Sequence, residues 1–124
     1  MRGHCLCKLV TLKSSSQPQW QGFCHCESCR RATSGPVVAW MGFNKDTVTF
    51  STPPKVFVSS EGVERGFCGD CGSPLFFKSE KWPDEIHLYG ASLDGPQDFT
   101  PEAHYFFSEK LTCFLIDDML PKSG

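Results

Sequence analysis

The sequence predicts a mostly β protein built of short antiparallel strands in one domain spanning residues 1–124. Three observations support this fold class. Short apolar runs of strand length are separated by turn residues, with 11 Gly and nine Pro in 124 residues. Runs of helix-forming residues are scarce, which argues against a helical architecture. Six or more such apolar runs with almost no helix between them favour a mostly antiparallel β protein.

The first half of the chain contains four predicted strands and one predicted helix. Residues 4–12 and Trp20–Cys24 alternate enough to form strands, and the second delivers a cysteine cluster at its end. Glu27–Thr33 is predicted to make one or two helical turns, because Ser34, Gly35 and Pro36 then stop a helix. Residues 37–43 and 47–51 follow as strands, the first of them buried.

The second half is predicted to continue the sheet. Residues 65–68 lead into the last cysteine cluster and residues 74–77 leave it, so strands flank that cluster on both sides. Glu85–Tyr89 alternates polar and apolar residues, as a half-exposed strand should. Residues 111–116 form the last apolar run, and Cys113 within it is interpreted as a small core residue.

Charge and patterning exclude several classes of function. The formal net charge is −2, and Arg30-Arg31 is the only adjacent basic pair, so the chain does not resemble a nucleic-acid binder. No apolar run approaches the ~20 residues of a membrane span. The N-terminus enters a cysteine cluster at once, which favours a cytoplasmic protein without a secretory leader. In that compartment clustered cysteines more often bind metal than form disulfides.

The cysteine count indicates two different metal sites. The clusters are Cys5-x-Cys7, Cys24-x-Cys26-x-x-Cys29 and Cys68-x-x-Cys71. A structural zinc site takes four protein ligands, whereas a reactive one takes three and leaves one position open. Four ligands plus three account for all seven clustered cysteines, so we expect one structural and one chemically active ion.

The structural site is predicted to join the first and last clusters. Cys68 and Cys71 on a tight turn can face one ion, although the same spacing also occurs in thioredoxin-like redox pairs. A redox pair should open a helix in a βαβ unit, whereas strands are expected here. Cys5 and Cys7 on a straight strand would lie about 6.6 Å apart along the chain. Sulfurs on one zinc are about 3.8 Å apart, so a local bend is needed.

The central cluster then holds its ion with Cys24, Cys26 and Cys29 alone. The alternative is a closed structural site with His25 or Cys113 as the fourth ligand. Three thiolates leave a zinc unit with a charge of −1, which makes it a poor Lewis acid for producing hydroxide. A coordinated thiol is nevertheless deprotonated outright. The predicted chemistry is therefore thiol activation rather than hydrolysis.

These motifs, in this order, resemble the glutathione-dependent formaldehyde-activating enzyme family, whose relatives include centromere protein V. The resemblance rests on Gly3-His-Cys-Leu-Cys7, Cys24-His-Cys-Glu-Ser-Cys-Arg30, Ser34-Gly35 and Phe67-Cys-Gly-Asp-Cys-Gly-Ser-Pro-Leu75. A weaker signature continues through Ala91-Ser-Leu-Asp94, His104 and Asp117-Asp-Met-Leu-Pro121. It thus covers nearly the whole chain.

The resemblance implies a β-tent fold, a small all-β structure whose sheets are linked by zinc. It implies a structural zinc on Cys5, Cys7, Cys68 and Cys71 and a catalytic zinc on Cys24, Cys26 and Cys29. The activity it implies is a carbon–sulfur lyase-type reaction. Glutathione, or a similar small thiol, adds to formaldehyde or another aldehyde to give S-hydroxymethylglutathione. A non-enzymatic zinc module that binds a protein partner or carries a thiol is the alternative, and a thiol–disulfide redox protein is a third class.

Three further residues have two interpretations each. Arg30 could contact a carboxylate of the thiol substrate by forked hydrogen bonds, or it could pair with a structural acid or the thiolates. Arg31 could share that role or be solvated. His104 could carry a proton near the site, because its unperturbed pKa is about 6.5, or it could be an ordinary core or surface histidine.

Overall fold

Ten strands and one α-helix make up the computed structural model, which describes residues 1–95 and 98–124. The helix, α1, is Glu27–Thr33. The strands are β1 (Arg2–His4), β2 (Thr11–Ser14), β3 (Trp20–Cys24), β4 (Val38–Asn44), β5 (Val48–Phe50), β6 (Lys55–Ser60), β7 (Val63–Phe67), β8 (Pro74–Ser79), β9 (Glu85–Tyr89) and β10 (His104–Tyr105).

The strands form two sheets of unequal size. The smaller has the order β1-β2-β5, and the larger has the order β10-β3-β4-β9-β8-β7-β6. Neighbouring strands are antiparallel except β10, which runs parallel to β3. The predicted mostly β fold is confirmed. No helix in the described part of the chain is long and apolar enough to span a bilayer.

Three predicted elements have the predicted bounds, namely Trp20–Cys24, Glu27–Thr33 and Glu85–Tyr89. The predicted strand over residues 4–12 is wrong in its middle. A tight turn interrupts it, because the N–H of Lys8 donates to the carbonyl of Cys5 and Lys8 takes a positive φ of 66°. The chain resumes as β2 at Thr11. This turn supplies the bend that the two N-terminal cysteines were expected to need.

The interpretation of Cys113, in the apolar run 111–116, as a small core residue is wrong. The segment turns at Leu111, whose carbonyl accepts from the N–H of Phe114, and Lys110 Nζ donates to the carbonyls of both residues. Cys113 is exposed rather than buried in the core. The physical reason is that local hydrogen bonds close this segment on itself, so its apolar residues do not join a sheet.

The large sheet buries apolar side chains on both of its faces. Trp40 and Met41 are consecutive in β4 and therefore point to opposite faces. Met41 belongs to a core that includes Leu12 of the small sheet. Trp40 belongs to a second core with Tyr89 on the other face. Cys5 and Cys68 pack into the first of these cores, whereas Cys24 and Cys29 pack into the second.

Gly42 in β4 gives a direct test of this packing. The Trp20 ring lies over Gly42, and its Nε1 donates to Glu85 Oε1 at 2.8 Å across the sheet. A methyl group at Gly42 would overlap that ring. We expect Gly42→Ala to lower the free energy of unfolding by about 1–3 kcal/mol, the usual cost of overpacking. Urea unfolding measures the change, and Gly35→Ala, where a methyl group meets only ordinary contacts, is the matched control.

Candidate functional site

The first and last cysteine motifs of the sequence form one group in the structure, which joins the N-terminal turn to the turn between β7 and β8. This group is called the first cluster from here on, and the group of Cys24, Cys26 and Cys29 the second cluster. The Sγ atoms of Cys5, Cys7, Cys68 and Cys71 all lie within 4.8 Å of one another, close enough to hold one metal ion. The Sγ distances are 3.6 Å between Cys5 and Cys7 and 3.8 Å between Cys7 and Cys68. A spacing near 3.8 Å is that of sulfurs on one tetrahedral zinc. The structure thus brings these four residues together.

Both turns direct backbone N–H groups at the sulfurs. The N–H of Val10 lies 3.4 Å from Cys5 Sγ, and that of Asp70 lies 3.4 Å from Cys68 Sγ. Gly72 takes a φ of 77°, which lets its N–H donate to the carbonyl of Cys68 and closes the second turn. Such donors favour thiolate over thiol and orient the ligands of a metal site.

Ser73 connects the two halves of this cluster. Its Oγ accepts from the N–H of Leu6 at 3.0 Å and lies 3.2 Å from Cys71 Sγ. Hydrogen bonds from Ser73 lower the pKa of Cys71 to about 5. Cys71 is therefore poised as a thiolate, and a cation bound among the four sulfurs would fasten residues 5–7 to residues 68–71.

The second cysteine cluster lies where β3 passes into α1. Cys24 ends β3, Cys26 is the N-cap of α1, and Cys29 lies in the first turn of the helix. Cys26 Sγ accepts from the N–H of Cys29 at 3.3 Å, so the helix start fixes the spacing of two of the sulfurs. The three Sγ atoms lie within 4.8 Å of one another. Cys24 and Cys29 are buried and Cys26 is half-buried, which leaves Cys26 on the accessible side.

The surroundings of this cluster favour negative charge on Cys29. The Cys24 and Cys26 thiols donate to its sulfur, with smaller contributions from Trp40 and the Arg65 guanidinium, and the pKa of Cys29 falls to about 2. The pKa of Cys24 is raised, because its proton is shared with the sulfurs of Cys26 and Cys29. A cation in the cluster would replace these shared protons.

Neither predicted alternative supplies a fourth ligand here. In residues 1–95 and 98–124, no further Cys, His, Asp or Glu atom joins the three sulfurs. Cys113 lies exposed outside both clusters. The His25 side chain points to the C-terminal part of the chain instead, where its Nε2 lies 2.8 Å from His104 Nδ1. Three thiolates with one unfilled position match the donor set of an open zinc site.

The two arginines of α1 have separate local roles. Arg30 Nε donates to the carbonyl of His25 at 3.0 Å, which ties the helix to the loop between Cys24 and Cys26. Arg31 is exposed and pairs with Glu27 at 2.9 Å, an i,i+4 contact typical of a solvated helix surface. The predicted contact of Arg30 with a substrate carboxylate stays a prediction.

Two buried histidines and the exposed Asp118 form a series of hydrogen bonds that extends from the second cluster to the C-terminal tail. His25 and His104 are both fully buried, and His104 Nε2 donates to Asp118 Oδ2 at 2.9 Å. His104 also pairs through its backbone, since its N–H donates to Pro121 and its carbonyl accepts from Ser123. The hydrogen bond from His104 lowers the pKa of Asp118. His104 is therefore a core histidine that anchors the tail behind the cluster.

We expect His104→Phe to destabilise the protein by about 1–3 kcal/mol, because a buried His25 nitrogen would lose its partner. Phenylalanine keeps an aromatic ring that can still stack on Phe23, and it removes both side-chain hydrogen bonds. Urea unfolding measures the loss. His4→Phe, at a partly exposed position, should change stability by less than about 0.5 kcal/mol. Equal stability of the two variants would show that the hydrogen bonds of the His104 side chain do not stabilise the fold.

Arg65 is the site residue that the sequence analysis missed. It belongs to β7, and its Nη2 lies 3.9 Å from Cys29 Sγ. Its guanidinium carbon lies 5.1 Å from the centre of the Phe77 ring. Burial raises the pKa of the neighbouring Tyr89 to about 12, so that hydroxyl stays protonated at neutral pH. The contact depends on strand register, because 36 residues separate Arg65 from Cys29.

Comparison with known proteins decides the family. The sequence pattern described as glutathione-dependent formaldehyde-activating enzyme matches residues 1–109, which include both cysteine clusters. The chain belongs to this family. That assignment confirms the resemblance inferred from the three cysteine motifs.

Individual relatives agree with the family assignment. An uncharacterized lyase of Schizosaccharomyces pombe is 28% identical over 127 aligned positions, which cover 95% of this chain and 93% of the relative. A Halomonas elongata protein, provisionally named a glutathione-dependent formaldehyde-activating enzyme, is 24% identical over 118 positions, which cover 88% of this chain and 75% of the relative. A crystal structure of a Rhodobacter sphaeroides protein matches with a TM-score of 0.60 at 21% identity and shows the same fold. The match covers 77% of this chain and 89% of that protein.

Proposed function

We propose that this protein is a zinc-dependent, carbon–sulfur lyase-type enzyme that activates glutathione, or a similar small thiol, for addition to formaldehyde or another small aldehyde. The observation that carries the proposal is the cluster of Cys24, Cys26 and Cys29. It offers three sulfurs within 4.8 Å of one another and no fourth ligand from the described residues. The family and the name of the Halomonas elongata relative support glutathione and formaldehyde as the reactants. The name of the Schizosaccharomyces pombe relative supports a lyase.

The two clusters would have different roles. Cys5, Cys7, Cys68 and Cys71 would hold a structural zinc, because four sulfurs close the coordination shell. Cys24, Cys26 and Cys29 would hold the catalytic zinc. All-sulfur donor sets select zinc among the common divalent ions. When bound at the open site, zinc supplies the positive charge that keeps an incoming thiol in its thiolate form.

The chain's own residues would prepare the site for addition of this thiol. Trp40 and Tyr89 are buried beside the cluster and exclude water from its inner side. Cys26 is half-buried, so the thiol would enter past it. Arg30, one turn into α1, is proposed to contact a carboxylate of the thiol. Holding both reactants in one place would accelerate their reaction, since proximity lowers the entropic part of the barrier.

The non-enzymatic alternative is less well supported. A zinc module that serves only to bind a partner is expected to close its second site with a fourth protein ligand or to keep an open position that no small thiol enters. Residues 1–95 and 98–124 supply no fourth ligand, so only the second form of this alternative remains. A thiol–disulfide protein is also disfavoured, because Cys68 and Cys71 lie between strands and beside Cys5 and Cys7 rather than at a helix start. None of the eight cysteines, all of which lie in the described residues, forms a disulfide, which suits a reducing compartment such as the cytoplasm.

The test is the rate of S-hydroxymethylglutathione formation. Glutathione and formaldehyde also combine without a catalyst, so NMR exchange spectroscopy should compare the zinc-loaded protein, the chelator-treated protein and buffer alone. We expect exchange above the uncatalysed rate only with the zinc-loaded protein. Equal exchange in all three samples would refute an enzymatic role in this reaction.

A further inference from the structure

Arg65 has an unusual environment for a guanidinium. It is half-buried in β7, on the face of the large sheet that carries the second cysteine cluster. One terminal nitrogen, Nη2, faces Cys29 Sγ at 3.9 Å. The other, Nη1, is buried and has no hydrogen-bond partner. Leaving a buried donor of this kind unpaired costs about 1–3 kcal/mol or more, so an acceptor is expected beside it.

Within the described residues Arg65 has no carboxylate partner, and the nearest group that carries negative charge is the Cys29 sulfur. No carboxylate oxygen there lies within 4.0 Å of its guanidinium, whereas Arg31 has such a partner in Glu27. The neighbours of Arg65 are aromatic, with the Phe77 ring under the guanidinium and the Tyr89 side chain beside it. An apolar wall strengthens the attraction between a fixed cation and any anion that enters.

The position of Arg65 indicates which anion it would receive. Arg65 contacts the cluster itself, because its Nη2 lies 3.9 Å from Cys29 Sγ, one of the three proposed zinc ligands. The sulfur of a thiol in the open position would lie about 3.8 Å from the same Cys29 sulfur. An anion that pairs with this guanidinium is therefore expected beside the cluster, near the substrate sulfur, rather than at the far end of a long thiol. The carboxylates of glutathione are many bonds from its sulfur. The oxygen that gains charge during addition is two bonds from it.

We propose that Arg65 is a catalytic residue that holds the oxyanion formed when the thiol adds to the aldehyde. This inference rests on the proposed function. In the step, the thiol first loses its proton to solvent, and a sulfur lone pair forms the carbon–sulfur bond. The π electrons of the carbonyl move to oxygen, giving an alkoxide beside the guanidinium. The alkoxide then takes a proton from water, so one thiol and one aldehyde give one hydroxymethyl thioether.

A simpler role would be to balance the charge of the three thiolates. That role predicts that Arg65 variants lose metal, because the cluster would become harder to ionise. The oxyanion role predicts instead that variants keep their metal and lose turnover. It also predicts that they lose the preference for thiols with an anionic oxygen close to the sulfur. The two roles therefore differ in measurements other than turnover.

The experiment measures binding and turnover in parallel. Thioglycolate and its methyl ester carry the same sulfur, with and without a nearby negative oxygen. Calorimetry on zinc-loaded protein gives the ratio of their dissociation constants. Comparing this ratio between the wild type and a variant cancels the difference in thiol acidity. We expect Arg65→Gln to shift the ratio about tenfold toward the ester, as expected for one charged hydrogen bond. Turnover should fall about 100-fold, a typical loss for one oxyanion donor.

Two further variants complete the test. Arg65→Lys keeps the charge but not the forked donor, so it should keep most of the preference for thioglycolate and still lose turnover. Arg31→Gln, at an exposed arginine, should change neither. An unchanged ratio and unchanged turnover in zinc-loaded Arg65→Gln would overturn the inference and leave the proposed function intact. Loss of zinc from Arg65→Gln, combined with full turnover in Arg65→Lys, would also overturn the inference and leave the proposed function intact. A wild-type protein that binds neither thiol would overturn the proposed function and this inference with it.

Discussion

Cys26→Ser is expected to abolish turnover of glutathione and formaldehyde while leaving the protein folded. Removing one of three sulfurs should release the ion at the second cluster, which has no spare ligand in the described residues. Metal-assisted activation contributes several kcal/mol, so turnover should fall at least about 100-fold. The fold should persist because Cys26 is the N-cap of α1, and serine is among the preferred residues there.

Cys113→Ser is the matched control for this variant. Cys113 is exposed and lies outside both clusters, so its replacement should leave metal content and turnover unchanged. Metal analysis should give two zinc ions for the wild type and for Cys113→Ser, and one for Cys26→Ser. Wild-type turnover in a Cys26→Ser protein that has lost its second ion would contradict the mechanism.

Cys68→Ser is expected to prevent folding rather than to impair catalysis alone. Cys68 is fully buried in the first core and is one of four sulfurs that join the N-terminal turn to the β7–β8 turn. Structural zinc contributes about 10–16 kcal/mol of apparent binding free energy in small zinc peptides. That is as large as the whole net stability of a typical domain, about 5–15 kcal/mol.

Circular dichroism and urea unfolding would measure this effect. We expect Cys68→Ser to lack a cooperative unfolding transition, and we expect chelation of the wild-type protein to have the same result. Cys113→Ser again serves as the control, because it removes a thiol without removing a ligand. A Cys68→Ser variant that unfolds cooperatively near the wild-type midpoint would show that the first cluster does not stabilise the fold.

The sequence predicts the parts of this molecule that depend on local chemistry. The helix Glu27–Thr33 and the strand Glu85–Tyr89 follow from a stop signal and from alternation, both of which are readable over a few residues. The grouping of Cys5 and Cys7 with Cys68 and Cys71 follows from ligand number. These predictions needed no knowledge of how distant strands align.

The sequence could not predict features that depend on register or on the environment of the tail. Arg65 reaches Cys29 only because β7, β8, β9 and β4 align across the large sheet. A one-residue slip would move its side chain to the other face. Residues 111–116 are apolar enough for a strand, but local hydrogen bonds of Lys110 turn them outward. His104 is fixed by Asp118, which lies 14 residues away.

The central claim is that one cluster binds a structural ion and the other an ion with a position free for a thiol. Native mass spectrometry of the freshly reduced protein, with and without glutathione, tests it most directly. The account predicts two zinc ions per chain and one added glutathione, with the glutathione and one zinc missing in Cys26→Ser. Two zinc ions with no glutathione adduct, or an adduct that survives in Cys26→Ser, would contradict it.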